Sequence, residues 1–229
     1  YYGILGAIFL YLSPRIFAES FYNPKDIIFL SLFIINLYYA IIFFKNPTIK
    51  NSCLFALTTA LAIDIRIMGI IIVPIIIFAT FLEHSNKFKI ILPAILTFFI
   101  LFPIITIIFW PYLWENPITN FLNVFSVLSS YPHEGYNFYF GEYHLVSKNP
   151  WHYVIVWILI TTPVFYLFLF FYGLLDYIKE INKNIDKEKL LPKKSNIEDF
   201  IYLSLLILPI IVVIFLNSTI YNGWRHLYF

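Results

Sequence analysis

The sequence predicts an all-α protein: a polytopic transmembrane helix bundle with an extracytoplasmic amphipathic helix. Three observations predict it. Of 229 residues, 61% are apolar and only 12% charged, whereas a soluble domain is about 45 to 50% apolar and about 25% charged. Apolar runs reach the roughly 18 residues that cross a hydrocarbon core. Basic residues gather in alternate joints between those runs, the asymmetry expected of loops on two sides of a membrane. A soluble enzyme, a nucleic-acid reader and a disordered tail are thereby excluded, and a net charge of +2 implies no polyanionic partner. The lone Cys53 can form neither an intrachain disulfide nor a cysteine zinc site, and reads as packing.

The apolar stretches run Tyr1 to Leu12, Ile27 to Phe44, Ser52 to Leu82, Phe88 to Leu113, Trp151 to Leu175 and Phe200 to Leu216. The chain opens inside one of them, has Met68 as its only methionine and closes on the aromatic GWRHLYF. It therefore reads as an internal piece of a longer membrane protein. Ser52 to Leu82 is 31 residues long and carries Asp64-Ile65-Arg66 near its middle. As one helix it would measure about 46 Å, against a core of about 30 Å. Two short helices meeting at Asp64 to Arg66 fit better, because a charge at the bilayer centre costs about 2.5 to 3.5 kcal/mol even on the lenient insertion scale.

With that hairpin, Lys45, Lys50, Lys87, Lys89, Lys179, Lys183, Lys187, Lys189, Lys193 and Lys194 share one side, the cytoplasmic one. Arg15, Lys25, Arg66, Lys148 and Arg225 take the other, so every arginine lies outside. In a chain otherwise rich in lysine, arginine confined to one side points to a task lysine does poorly, the bidentate binding of phosphate or carboxylate. The lysine-rich joint Asp176 to Asp199 reads as a solvated connector, and Pro111 to Pro150 as an outside loop. In that loop Asn116-Pro117 opens a helix, and Ile118, Phe121, Leu122, Phe125 and Leu128 recur at helical spacing. An amphipathic helix at the membrane interface is expected over Pro117 to Ser129. Trp110, Tyr112, Trp114, Trp151, Tyr153 and Trp157 flank the loop as an aromatic belt would.

Four clusters could carry chemistry. In SPRIFAESFYNPKD two prolines interrupt the helix and Asp26 opens the next one. Asp26 either caps that helix or, with Glu19, faces an outside cleft beside Arg15, an arrangement suited to a hydroxyl and a phosphate. Asp64 and Arg66 either pair to cap the hairpin tip or send Arg66 into the same cavity as Arg15. In YNGWRHLYF, Arg225 and His226 sit among Tyr221 and Trp224, a mixture that either anchors an interface or stacks a sugar and pairs an anion. His133, Glu134, Glu142 and His144 either decorate a surface or hold a divalent metal, without a recognised ligand spacing. The chain has no P-loop, no GxSxG elbow, no HExxH and no dinucleotide fingerprint.

SPRIFAESFYNPKD, LAIDIRIMGI, WPYLWENP with its amphipathic helix, PWHYVIVWILITTP and YNGWRHLYF, in that order, resemble the GT-C class of membrane glycosyltransferases. Within it the chain is most similar to the protein O-mannosyltransferase and 4-amino-arabinose transferase group, in its bacterial phospholipid-carrier-dependent branch. The resemblance implies that residues 1–229 are part of one transmembrane domain in the bacterial inner membrane, truncated at both ends, with an extracytoplasmic active face. It implies inverting transfer of a sugar from a polyprenyl-phosphate carrier to a hydroxyl or amine of a lipid, glycan or protein. The principal catalytic aspartate would lie in the first outside loop, upstream of Tyr1, so this piece alone would be inactive. Asp26 matches the second acid, although Ile28 stands where a proline is usual. Arg66 and Arg225 match basic residues opposite the leaving phosphate, with Arg15 next. Glu19, Tyr22, Tyr221, Trp224 and His226 would line the substrate, no cofactor is required, and a divalent metal is admissible. A transporter or flippase for a lipid-linked or anionic substrate would also want arginines on a cavity. It would normally carry its charges near the midplane in paired halves, whereas here they crowd one rim.

Overall fold

The computed structural model describes residues 2–129, 135–184, 194–216, 218–221 and 223–229. In chain order the elements are α1 (Tyr2–Tyr11), α2 (Pro14–Glu19), α3 (Pro24–Lys45), α4 (Ile49–Ile65), α5 (Ile72–Glu83), α6 (Phe88–Phe109) and α7 (Pro117–Ser129). The strands β1 (Tyr136–Tyr139) and β2 (Glu142–Leu145) follow, then α8 (Tyr153–Thr161), α9 (Val164–Asn184) and α10 (Lys194–Phe215). Three stretches are helical and apolar over a length that crosses a membrane: Pro24–Lys45, Ser85–Phe109 and Ile197–Phe215.

Local chemistry sets the boundaries. Asn23 caps α3, its side chain accepting from the Asp26 N–H, and Pro24 takes the first turn, where a missing N–H costs nothing. Thr48 caps α4 by accepting from the Asn51 N–H. The expected break falls at Arg66, whose backbone is extended (φ −149°, ψ 128°) between α4 and the 3-10 turn Ile67–Ile71. There the chain doubles back. A Cβ on Gly69 would stand 2.9 Å from the carbonyl carbon of Ala62, whereas residues seven apart in a straight helix are separated by about 10 Å. Glycine at 69 is what lets the two backbones approach so closely.

Contacts fix the direction of each helix. Asp26, at the start of α3, pairs with Arg66, while Phe44, near its end, offers its carbonyl to His84 Nε2 at 3.0 Å. Hence α4 runs back along α3 and α5 runs forward again. Ser52 donates to the Ala94 carbonyl at 2.6 Å, so α6 also starts at the lysine end, beside the start of α4. Lys45 pairs with Glu198 at 3.0 Å and places the start of α10 at that end too. The Phe43, Phe55 and Phe98 rings, buried and roughly parallel, join α3, α4 and α6. Beside them the buried Asn36 oxygen accepts from both Thr58 and Thr59 at 3.0 Å, a polar tie where packing alone discriminates poorly between helices.

Two expectations are corrected. Trp151 to Leu175 is not one straight helix: α8 and α9 meet at 113°. Pro163 is the cause, because a residue before proline is driven out of the helical region, and Thr162 sits at ψ 132°. The loop between α7 and α8 also contains an antiparallel hairpin, β1 with β2, where only helices were expected. Its turn places Phe140 and Gly141 at φ 51° and 87°, the two positive values of a type I′ turn. Tyr139 and Asn137 face inward, and Asn137 donates to the Ile220 carbonyl at 2.8 Å, clasping the segment after α10.

Candidate functional site

The end of the bundle opposite Lys45 and His84 collects the three arginines from distant parts of the sequence. Asp26 is buried and holds Arg66 in an ion pair. Asn23 Nδ2 donates to Asp26 at 2.6 Å and to Glu19 at 2.8 Å. Glu19 in turn accepts from the Tyr228 hydroxyl at 3.3 Å, and that hydroxyl accepts from Arg15 Nε at 2.6 Å. A continuous polar chain therefore runs from Arg15 through Tyr228, Glu19, Asn23 and Asp26 to Arg66. The Arg15 guanidinium also lies over the rings of Trp157 and Tyr228 and packs on the backbone of Gly223, whose φ of 73° suits glycine.

Arg225 is placed differently. It stands 4.7 Å over the Tyr221 ring, and among the described residues no carboxylate pairs with it. Its charge, together with burial, holds the Arg66 guanidinium below its ordinary value, burial being the larger cause. His226 lies against Tyr221, with ring centroids 4.8 Å apart. Burial first, then Arg66, Arg225 and Lys25, push its imidazole down to about 3. The segment is fixed from beneath, since Trp224 Nε1 donates to the Thr161 hydroxyl at 2.7 Å and the Gly223 N–H donates to Tyr153 at 3.3 Å.

That imidazole gives a test of the electrostatics. Between pH 6.5 and about 3 the unfolded chain carries a proton at His226 that the folded one does not. Stability therefore falls as the pH is lowered through that window. Thermal unfolding of the reconstituted protein should show a steeper acid loss for the parent than for His226→Gln. Parallel curves would place the imidazole in an ordinary environment.

The structure brings together Asp26, Glu19, Arg15, Arg66, Tyr221, Arg225 and His226; of the two cavities beside them, one is lined by Arg66 and neither by Asp26 or Arg225. Asp26, expected to face a cleft, is 4% exposed and saturated by Arg66 and Asn23. Tyr22 is 69% exposed at the surface and stands apart from the cluster. Two spaces adjoin it. One, of about 350 Å³, lies between the hairpin tip and α7 and is lined by Lys25, Asp64, Arg66, Trp110, Tyr112 and Asn123, among others. The other, of about 640 Å³ and almost wholly apolar, lies between α3, α8, α9 and α10, with Trp224, Leu227 and Phe229 in its lining.

Asp64 and Arg66 do not pair with each other, against one of the two readings open from sequence: Arg66 turns to Asp26 and leaves the buried Asp64 carboxylate oxygens without a hydrogen-bond partner among the described residues. Of the metal candidates, Glu142 and His144 face each other at 3.9 Å on β2, and His133 and Glu134 lie outside the described residues. Among the described residues no three His, Cys, Asp or Glu gather as a metal site, so no metal step is assigned. Sequence reasoning missed Tyr228 and Asn23 as links of the polar chain. Asn23 carried a signal as the cap of a proline-led helix, whereas Tyr228 carried none beyond its place in an aromatic run. No protein-family model, no curated protein and no solved structure matches the chain.

Proposed function

We propose that the intact protein is a multi-pass membrane glycosyltransferase of GT-C type, seated in a bacterial inner membrane with its arginine end outside. It moves a sugar from a polyprenyl phosphate to a hydroxyl or amine. The observation that carries this reading is Arg225: a guanidinium without a carboxylate partner among the described residues, one residue from Trp224, which lines an apolar cavity of about 640 Å³. A cation beside an apolar trough is what a phosphate on a long hydrocarbon tail requires. Trp224, Leu227 and Phe229 border the trough on the arginine side, and Phe229 packs against Phe29 and Phe33 of the core at 5.0 Å.

In the reaction the acceptor oxygen or nitrogen attacks the anomeric carbon from the face opposite the phosphate. The bond from that carbon to the phosphate oxygen breaks, and the phosphate leaves with the electron pair. The acceptor's proton goes to a carboxylate, which by the family resemblance lies upstream of this chain. Arg225 and Arg66 face the charge that grows on the leaving phosphate, stabilising the transition state more than the ground state. Asp26 serves as a positioning residue: it fixes the direction of Arg66, while Asn23, Glu19 and Tyr228 hold the fork in register with Arg15.

The experiment is sugar transfer in membranes containing the full-length protein, with radiolabelled sugar on a polyprenyl phosphate, on a short-chain alkyl phosphate and on a nucleotide. Transfer from the polyprenyl donor, weaker transfer from the short chain and none from the nucleotide is the expected order. Equal use of the nucleotide sugar, or accumulation of intact labelled lipid across the membrane without bond cleavage, would overturn the reading in favour of a cytoplasmic donor or a flippase.

A further inference from the structure

Six buried side-chain polar atoms lack a partner among the described residues, and three of them sit at the hairpin tip: Asp64 Oδ1, Asp64 Oδ2 and Arg66 Nε. They are an acceptor pair and a donor, two residues apart, that do not satisfy one another. Polar groups shut away without partners are costly, and native proteins keep few of them. Both residues line the cavity of about 350 Å³ beneath α7. Half of its lining is aliphatic, from Ile63, Ile65, Ile67, Met68, Val124 and Val127, and the rest is mixed in type. Trp110 and Tyr112 supply aromatic faces, Asn123 of α7 supplies an amide, and Lys25 supplies a cation. Aromatic faces combined with a carboxylate and an amide are the chemistry that holds a pyranose, since its C–H face stacks while adjacent hydroxyls bond both ways.

The roof is the amphipathic helix. Asn120 of α7 donates to the Tyr112 carbonyl at 2.6 Å, and Phe121 lies edge-on to Trp110 with centroids 6.5 Å apart. Ile118 and Leu122 remain largely exposed, as on a helix whose apolar side meets lipid. The helix thus turns Asn123, Val124 and Val127 to the cavity.

We propose that this cavity is a binding subsite for a neutral sugar ring of the acceptor, making the acceptor a glycan or glycolipid. Asp64 turns toward the ring to accept from its hydroxyls and Arg66 Nε donates to one of its oxygens. The role as acceptor subsite rests on the transfer reading above, whereas the binding of a sugar does not. Arg66 then serves both neighbours, its terminal nitrogen held by Asp26 and its Nε turned to the sugar.

The test is binding of free methyl glucopyranoside, mannopyranoside and galactopyranoside to the full-length protein in nanodiscs. Maltoside detergents must be absent, because they carry the ligand chemistry themselves. Saturation-transfer NMR and tryptophan fluorescence should report saturable binding of at least one glycoside. Asp64→Leu should weaken it about threefold to tenfold, the usual consequence of deleting one hydrogen bond. Asn123→Trp, made on an exposed position of α7 and so harmless to folding, should block it by filling the space. Arg225→Ala should leave binding unchanged while lowering transfer about 100- to 1000-fold, which separates this subsite from the donor phosphate. No saturable binding by the parent protein, or parent-like binding by both Asp64→Leu and Asn123→Trp, would overturn the proposal. Sugar binding without any transfer would overturn the enzyme reading and leave the subsite standing.

Discussion

Arg225→Ala should lower sugar transfer about 100- to 1000-fold while the protein accumulates and unfolds normally. The magnitude is that of removing one preorganised donor from a developing oxyanion, about 2.7 to 4 kcal/mol of barrier. Folding is spared because no carboxylate depends on this guanidinium among the described residues; its neighbours are the Tyr221 ring and the neutral imidazole of His226. Arg225→Lys should recover only part of the loss, since it keeps the charge but not the planar fork that grips two phosphate oxygens. Initial rates at saturating polyprenyl donor, normalised to protein by immunoblot, make the measurement. Parent-like rates for the alanine variant would reduce Arg225 to an interface anchor. Arg66 is a poorer probe, because its loss would strand a buried carboxylate.

Asp26→Ala should destabilise the folded protein by about 3 to 5 kcal/mol, the range found when one partner of a buried pair is deleted. Arg66 would keep its charge with its side chain only 18% exposed, and Arg225 would add repulsion. The double variant Asp26→Leu with Arg66→Met should be far more stable than the sum of the single losses, since neither charge is then left alone. Thermal unfolding of all four proteins in one lipid composition gives the coupling. Additive losses would mean that the two charges are solvated independently. The double variant should also transfer poorly despite its recovered stability, which separates the positioning role of Asp26 from its share in folding.

The parts of this fold legible in the sequence are those where local chemistry and length conflict. A 31-residue apolar run with Asp64 and Arg66 inside cannot stay straight in a bilayer, and the break lies where the charges are. The Asn116-Pro117 pair announced the start of α7 because capping is a local matter, whereas α3 was expected to start at Asp26, two residues after its Pro24. Pro163 was not legible as a bend, because proline alone is ambiguous: Pro93 and Pro103 lie within the continuous α6, and Pro209 lies within α10. Nor was the hairpin, whose turn is Phe140-Gly141 rather than the asparagine- or aspartate-glycine that marks such turns. At the candidate site, the convergence of the arginines followed from counting which side each joint faces. The choice of Asp26 over Asp64 as partner for Arg66 spans 40 residues and is decided by helix packing, which no local pattern encodes.

The 113° elbow between α8 and α9 bears on what concentration means for this protein. Both helices wall the large apolar cavity, and around the elbow Ile160, Val164, Phe165 and Phe168 are exposed apolar residues suited to lipid rather than water. A tailed donor reaching such a space arrives sideways, by two-dimensional diffusion within a leaflet. Its supply is then governed by mole fraction among the surrounding lipids, so diluting the bilayer with inert lipid starves the site even when donor molarity is unchanged.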